Sequence, residues 1–272
     1  MIGRGEKTAN YVILIVFAVL AVYPLLSVLV TALGAPDAGT SGRGVLGLHF
    51  ENFTAAWREG HFATYLRASL VVSVTVVLVS VVLSILSGYA LGSMRFRGVN
   101  VVFYLFLLGM MMPNEVVVVS LYFDLRTLDL TDTLWAVILP QVAQSLAFGT
   151  YWMRTYFRSS SRALVEAARI DGAGTWRTLW SVLVPLARPA IVTLTLLVFM
   201  WTWNEFLIPL VMVTSENLRT APLGLAFFQG QYTQGFTLLA AGACIVATPI
   251  VLLYVFCQRH FITGMLEGAV RE

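Results

Sequence analysis

Apolar residues in this chain come in long unbroken runs, separated by short polar segments. Six runs stand out, at residues 11–33, 68–91, 99–123, 134–153, 189–213 and 236–256. Each is long enough for a helix that crosses a hydrocarbon core, which takes roughly 20 residues. None alternates polar and apolar as a barrel strand does. The fourth run is the most interrupted, with Pro140, Gln141, Gln144 and Gly149 inside it. Such residues are tolerated in a span when neighbouring helices satisfy the freed backbone groups. The pattern predicts an all-α, polytopic membrane protein with six transmembrane helices over 11–258, flanked by short segments at 1–10 and 259–272. The first run follows Arg4 and Lys7 but is too long for a signal-peptide core, and no small-x-small site follows it. It reads as a retained anchor.

Composition agrees with the pattern. Of the 272 residues, 58% are hydrophobic types and 11% are charged, against about 45–50% and 25% in soluble domains. Too few charges remain to cover a soluble surface of this size, and disorder is excluded for the same reason. Lys7 is the only lysine among 17 basic residues, so a P-loop or Schiff-base lysine has one candidate. Cys244 and Cys257 share the last apolar stretch, which gives no disulfide framework. No pair of His49, His61 and His260 has metal-ligand spacing. With the N-terminus inside, 12 basic residues fall on the inner side and 5 on the outer. That asymmetry predicts both termini in the cytoplasm. An outer loop near 34–64 turns amphipathic around Phe50, Phe53 and Trp57, and an inner loop occupies 154–188.

The inner loop is the most polar part of the chain. Residues 163–170 are good helix formers, the serines at 159–161 can cap that helix, and Asp171-Gly172 supplies a turn. Leu164, Ala167, Ala168 and Asp171 share one face, and the two alanines let another surface come close. Trp176, Leu179, Trp180 and Leu183 follow at helical spacing before Pro185. By these residues alone the loop is an amphipathic helix at a membrane interface or a docking element. The string Glu166-Ala167-Ala168, two residues, Asp171-Gly172-Ala173, then Val182, Val184 and Pro185, resembles the EAA loop of ABC-importer permeases. Trp203-Asn204-Glu205-Phe206 before Pro209 resembles that family's fifth core span, and Gly264 through Gly268 to Arg271 resembles its C-terminal tail. The Asp-Gly-Ala form is similar to the carbohydrate branch, of the maltose-permease second-subunit type. Ser161, Ala163 and Val165 depart from relatives that carry proline or acids there.

The resemblance implies coupling helices at Leu164, Glu166, Ala167, Ala168, Asp171, Gly172, Ala173 and Trp176 that dock on a cytoplasmic ATPase. It implies a tail contact through Gly264, Gly268 and Arg271. Glu166, placed near the helix N-terminus, is expected to pair with a basic group of the ATPase. The expected partners are a second, unlike permease, an ABC ATPase dimer, an extracytoplasmic sugar-binding protein, membrane lipid and a small-molecule sugar; no nucleic acid is expected. The outer loop and the loop after the fifth span are the candidate contacts of the binding protein. No cofactor is expected on this chain, because ATP and magnesium belong to the partner, and the implied location is the bacterial cell membrane.

Two acids sit inside apolar runs, where ionisable groups are costly and face a cavity or a partner. Counted along straight helices, Glu115 and Glu205 both lie about 24 Å above the inner end. Asn114 stands beside Glu115, and Trp201, Trp203 and Asn204 stand near Glu205. Amides, carboxylates and aromatic faces suit a sugar path; an aromatic belt or a subunit interface would use the same residue types. Gly88 and Gly92 have the spacing of close helix packing. Three function classes follow. A sugar importer permease, or one for another solute, accounts for the loop. An ion-coupled transporter would use the acids but has no need of the loop and typically shows an inverted repeat, which is absent. An intramembrane enzyme would need a nucleophile with its base, or metal ligands, at helical spacing, and the sequence has neither. The P-loop pattern is absent too, so the ATPase is another chain.

Overall fold

The computed structural model describes residues 4–35, 48–159, 162–231 and 236–269, and among these the regular structure is helical throughout. The chain divides into two compact units, Met1–Ala63 with Gly224–Pro249 and Thr64–Leu223 with Ile250–Glu272. In chain order the helices begin with α1 (Arg4–Ala32), α2 (Glu51–Glu59), α3 (Phe62–Ser93) and α4 (Val99–Met111). There follow α5 (Asn114–Thr127), α6 (Leu134–Ser159) and α7 (Arg162–Ile170). Short α8 (Thr175–Arg177), a π-helical stretch Thr178–Leu183 and α9 (Val184–Leu186) run on as one helix. The chain ends with α10 (Arg188–Asn204), α11 (Leu207–Met212), α12 (Ala221–Gln231) and α13 (Phe236–Ala269).

Three unbroken helices among the described residues are long and apolar enough to cross a membrane, within α1, α3 and α13. Two bent pairs raise that number to five. Of the six expected spans, the fourth is long enough as α6 but falls short in apolarity, because Gln141, Gln144 and other polar residues lie in it. It is instead a central helix of its unit, with Ala136, Val137, Met153 and Phe157 buried. The third run is not one helix. α4 and the helix after it are bent by 102° at Met112-Pro113. Proline biases its predecessor away from helical geometry, and Met112 is extended at φ −74°, ψ 126°.

One break precedes the fifth run and a second falls inside it. Ala187 separates α9 from α10 with a 78° bend, Pro189 opening the new helix. Glu205 then leaves helical geometry at ψ 125°. Pro209 explains this second break: its ring would collide with the carbonyl four residues back, which is that of Glu205.

In the first unit, α2 packs against the C-terminal end of α1. Asn52 is buried and its amide donates to the carbonyls of Ala32 and Gly34, each at 2.9 Å. Phe62 meets Phe228 edge-on at 5.8 Å. The apolar window of α1 has none of its residues buried, as expected of a helix solvated by lipid or by another chain.

In the second unit, α3 and α6 approach along a seam of small residues. A Cβ on Gly88 would stand 2.5 Å from that of Met153, and one on Gly92 3.0 Å from the Arg154 carbonyl. Gly149 lies against Ser84, whose Cβ would be 2.8 Å from an added methyl. Ser87 and Thr150 share a 2.7 Å hydrogen bond across the same seam. The Gly88/Gly92 spacing therefore does pack helices closely. Gly149→Ala should destabilise the protein by about 1–3 kcal/mol through overpacking, and Ser84→Gly should recover part of that loss. Gly109→Ala, where an added Cβ meets nothing within 4 Å, should be tolerated; thermal unfolding in detergent reads all three.

Candidate functional site

The polar segment 154–188 contains α7, whose end is a Schellman motif. Gly172 N–H donates to Arg169 O (3.0 Å) and Ala173 N–H to Ala168 O (2.9 Å). The motif requires a left-handed residue, and Gly172 has φ +76°. Ala168 is buried, while Glu166, Ala167 and Asp171 are exposed and Ala173 is half-buried. The side chain of Leu164 lies outside the described residues. The helix starts at Arg162, so Glu166 sits a full turn in and the first turn carries no acid. Its expected support from the helix dipole is therefore weaker, because that effect fades beyond the first turn. Ser159 does not cap: its hydroxyl donates back to Tyr156 O at 2.9 Å. Ser160 and Ser161 lie outside the described residues.

Large apolar side chains here face solvent, most of all Ile170, 86% exposed, and Trp176, 65% exposed. The second half of the segment divides its hydrophobes. Leu179 and Leu183 are core residues, whereas Trp176 and Trp180 point outward. Hydrogen bonds hold this half to α6: Tyr156 Oη donates to Leu186 O (2.7 Å) and Trp152 Nε1 to Ala190 O (3.0 Å). Where a separate tail from residue 259 was expected, α13 runs on without a break through Gly264 and Gly268 to Ala269. Arg271 lies outside the described residues.

Further along the same unit, a cavity of about 690 Å³ opens between α4, α6 and α10. Gln141, Gln144 and Ser145 line it from α6, and Trp201, Thr202, Asn204 and Glu205 from the end of α10. Met110, Met112, Phe148, Leu197 and Met200 complete its walls, and no basic side chain lines it. Asn204 gives an amide proton to Met200 O at 2.8 Å. Glu205 accepts the Ile208 N–H at 3.0 Å and so caps α11 while facing the cavity. Trp201, Asn204 and Glu205 thus line one cavity.

Two expected path residues, Trp203 and Glu115, do not join them. Trp203 is 2% exposed and stacks on Phe199 at 5.5 Å, which makes it a core residue. Glu115 lies beyond the Pro113 break, exposed in the first turn of α5 and away from the cavity lining. Asn114 opens the same turn, and its side chain lies outside the described residues. With both runs broken, a height counted along straight helices has no meaning for either acid. Gln141, Gln144, Ser145 and Phe148 were missed as lining residues. Their signal was present, because two amides inside an apolar run need polar company.

At the far end of the unit, Asp132 clasps the loop that follows α11. Its carboxylate accepts Thr214 N–H (2.9 Å), Ser215 N–H (2.8 Å) and the Ser215 hydroxyl, while its own N–H donates to Met212 O (2.9 Å). These donors, the Ser215 side chain first, lower its pKa to about 2.

A family model described as the binding-protein-dependent transport system inner membrane component matches residues 80–265. The probable ABC transporter permease protein YurM of Bacillus subtilis is 33% identical over 97% of this chain and 89% of its own length. An arabinooligosaccharides transport system permease protein of Halalkalibacterium halodurans is 33% identical over 93% of this chain and 92% of its own. Among solved structures, a chain of a bacterial ABC transporter involved in import of the acidic polysaccharide alginate superposes with a TM-score of 0.83. That match is 25% identical and covers 96% of this chain and 99% of the other. The chain belongs to the family of binding-protein-dependent transport system inner membrane components and is a membrane-embedded ABC permease.

Trp203→Ala should cost about 3–5 kcal/mol of stability as a core truncation. Trp201→Ala should leave thermal unfolding nearly unchanged and lower uptake instead, since that ring lines the cavity. For Asp132 the folded pKa lies below the ordinary value of 3.8. Its clasp is therefore fully present above about pH 4 and is lost as pH falls through about 2. Hydrogen exchange at Thr214 and Ser215 should reflect a constant clasp from pH 8 to pH 5, after correction for the intrinsic rate, and Asp132→Ala should abolish the protection.

Proposed function

We propose that this chain is one of two unlike permease subunits of an ATP-driven importer for a di- or oligosaccharide. The cavity carries that reading. Two glutamines, an asparagine, a serine, a threonine and a carboxylate provide donors and acceptors for hydroxyl groups, and Trp201 and Phe148 offer faces to the apolar side of a sugar ring. The arabinooligosaccharide permease named above supports the same substrate class. Glu205 serves twice, as a cap that fixes the shape of the break and as a hydrogen-bond acceptor toward the solute.

The energy comes from elsewhere. An ABC ATPase dimer binds ATP and magnesium and closes on Leu164, Glu166, Ala167, Ala168, Asp171, Gly172, Ala173 and Trp176. Exposed Ile170 and Trp176 supply the apolar part of that dock. The Schellman turn at Gly172 holds α7 at a fixed angle to the following helix, so a push on α7 is not dissipated in a floppy loop. Gly264, Gly268 and Arg271 extend the contact through the C-terminal tail. Both termini, 1–10 and 259–272, lie in the cytoplasm of a bacterial cell and 11–258 forms the membrane domain. On the other side a sugar-binding protein delivers the solute to the loops around Asp132 and Ser215 and to the outer loop before α2. The chain itself makes no covalent chemistry and holds no cofactor.

The test is assembly and stimulation. The chain should copurify with a second permease and an ATPase, and the complex should hydrolyse ATP faster with a sugar-loaded binding protein. Glu166→Lys should lower ATPase recovery or transport about tenfold, by placing like charge against a basic partner. Transport by the chain alone in liposomes without ATP would overturn the reading.

A further inference from the structure

One stripe of side chains on α6, at seven- and four-residue steps, runs from the cavity to the bend. It carries Gln141, Phe148, Trp152 and Tyr156, and spans about 22 Å along the axis. At the bend, the Trp152 N–H and the Tyr156 hydroxyl hold the carbonyls of Ala190 and Leu186. These carbonyls flank the 78° bend at Ala187. At the cavity end, Phe148 stacks on Trp152 at 6.0 Å and meets Trp201 edge-on at 4.8 Å. Trp201 lines the cavity. The contacts from bend to Trp152, Phe148 and Trp201 are continuous.

At the bend Pro185 and Pro189 have no N–H to give, which leaves fewer backbone bonds than a continuous helix has, among them Ala187 N–H to Leu183 O and Ile191 N–H to Ala187 O, each at 2.9 Å. Left to itself, such a bend would act as a hinge and absorb any movement of the segment before it. Two directional hydrogen bonds to a stiff neighbouring helix prevent that. The geometry points to Trp152 and Tyr156 as positioning residues that carry movement of α7 to α9 around this hinge, into α6 and through Phe148 to the cavity wall at Trp201. Closely packed interiors switch between discrete arrangements rather than deform gradually, so a shift at the foot of α6 reaches the cavity. The inference rests on the reading of the chain as a permease driven by a separate ATPase.

Tyr156→Phe removes one hydroxyl and Trp152→Phe one N–H, and both keep a ring. Phe148→Leu breaks the aromatic chain without touching either hydrogen bond. Each is placed in the complete transporter, reconstituted in proteoliposomes with its binding protein, and sugar moved per ATP hydrolysed is measured. Trp152→Phe and Tyr156→Phe should each lower that ratio, and the double variant Trp152→Phe/Tyr156→Phe should lower it by about fivefold or more, with basal ATPase activity retained; Phe148→Leu should lower it as well, with sugar binding affected because that ring also lines the cavity. An unchanged ratio in the double variant and in Phe148→Leu, even with a lower unfolding temperature, would mean that the bonds only stabilise the fold, and would overturn the linkage. Should the double variant fail to assemble, the single variants Tyr156→Phe and Trp152→Phe decide by the same ratio. A wild-type complex whose ATPase does not respond to any sugar-loaded binding protein would remove the permease reading itself.

Discussion

In hydrocarbon no water is available to an unpaired backbone N–H or carbonyl, so a helix that spans a membrane cannot be interrupted without a replacement partner. The unit built around α6 breaks its helices at Met112-Pro113, at Ala187 and at Glu205. Prolines 113, 189 and 209 force the breaks. What differs is how each is repaired. Glu205 repairs its own by accepting from Ile208 N–H, and the bend at Ala187 draws on Trp152 and Tyr156. The first and third breaks border the cavity and the second borders the segment proposed to dock on the ATPase. Function in this chain collects where the helices are hardest to build.

The same constraint explains the central place of α6. Its side chains do what an apolar span cannot: they give amides to the cavity, indole and phenol donors to the bend, and small residues to the seam with α3. Gly149 and Gly88 allow close approach. Arg154 crosses the seam to donate to Leu91 O at 3.2 Å and covers the Phe103 ring at 3.6 Å. A charge in such a position is tolerable because its fork is spent on a carbonyl and an aromatic face. Low apolarity in α6 therefore follows from how many neighbours it serves.

Much of this was legible in the sequence, and the boundary of legibility is physical. Runs of apolar residues disclose membrane helices because length and composition suffice. The Asp171-Gly172 turn was legible because a left-handed residue after a helix has few alternatives to glycine. The breaks were not placed: proline at 113 or 209 marks a possible kink, but the bend angle depends on which neighbours accept the freed groups. Trp203 and Trp201 are two positions apart and chemically identical, yet one is core and the other lines a cavity; only packing distinguishes them. Gln141 and Gln144 were noticed as flaws in a span, and the structure makes them the floor of the site.

Asn52 deserves a consequence of its own. It latches α2 onto the C-terminal end of α1 by two carbonyls, while the long apolar barrel of α1 is unburied by its own chain. Selection then acts very unevenly along one helix. Substitutions in its middle need only preserve oiliness, whereas the anchor residue tolerates no apolar replacement. Over evolutionary time the body of α1 should drift in sequence as freely as a solvent-exposed loop does in a soluble protein, with its identity kept at the tip.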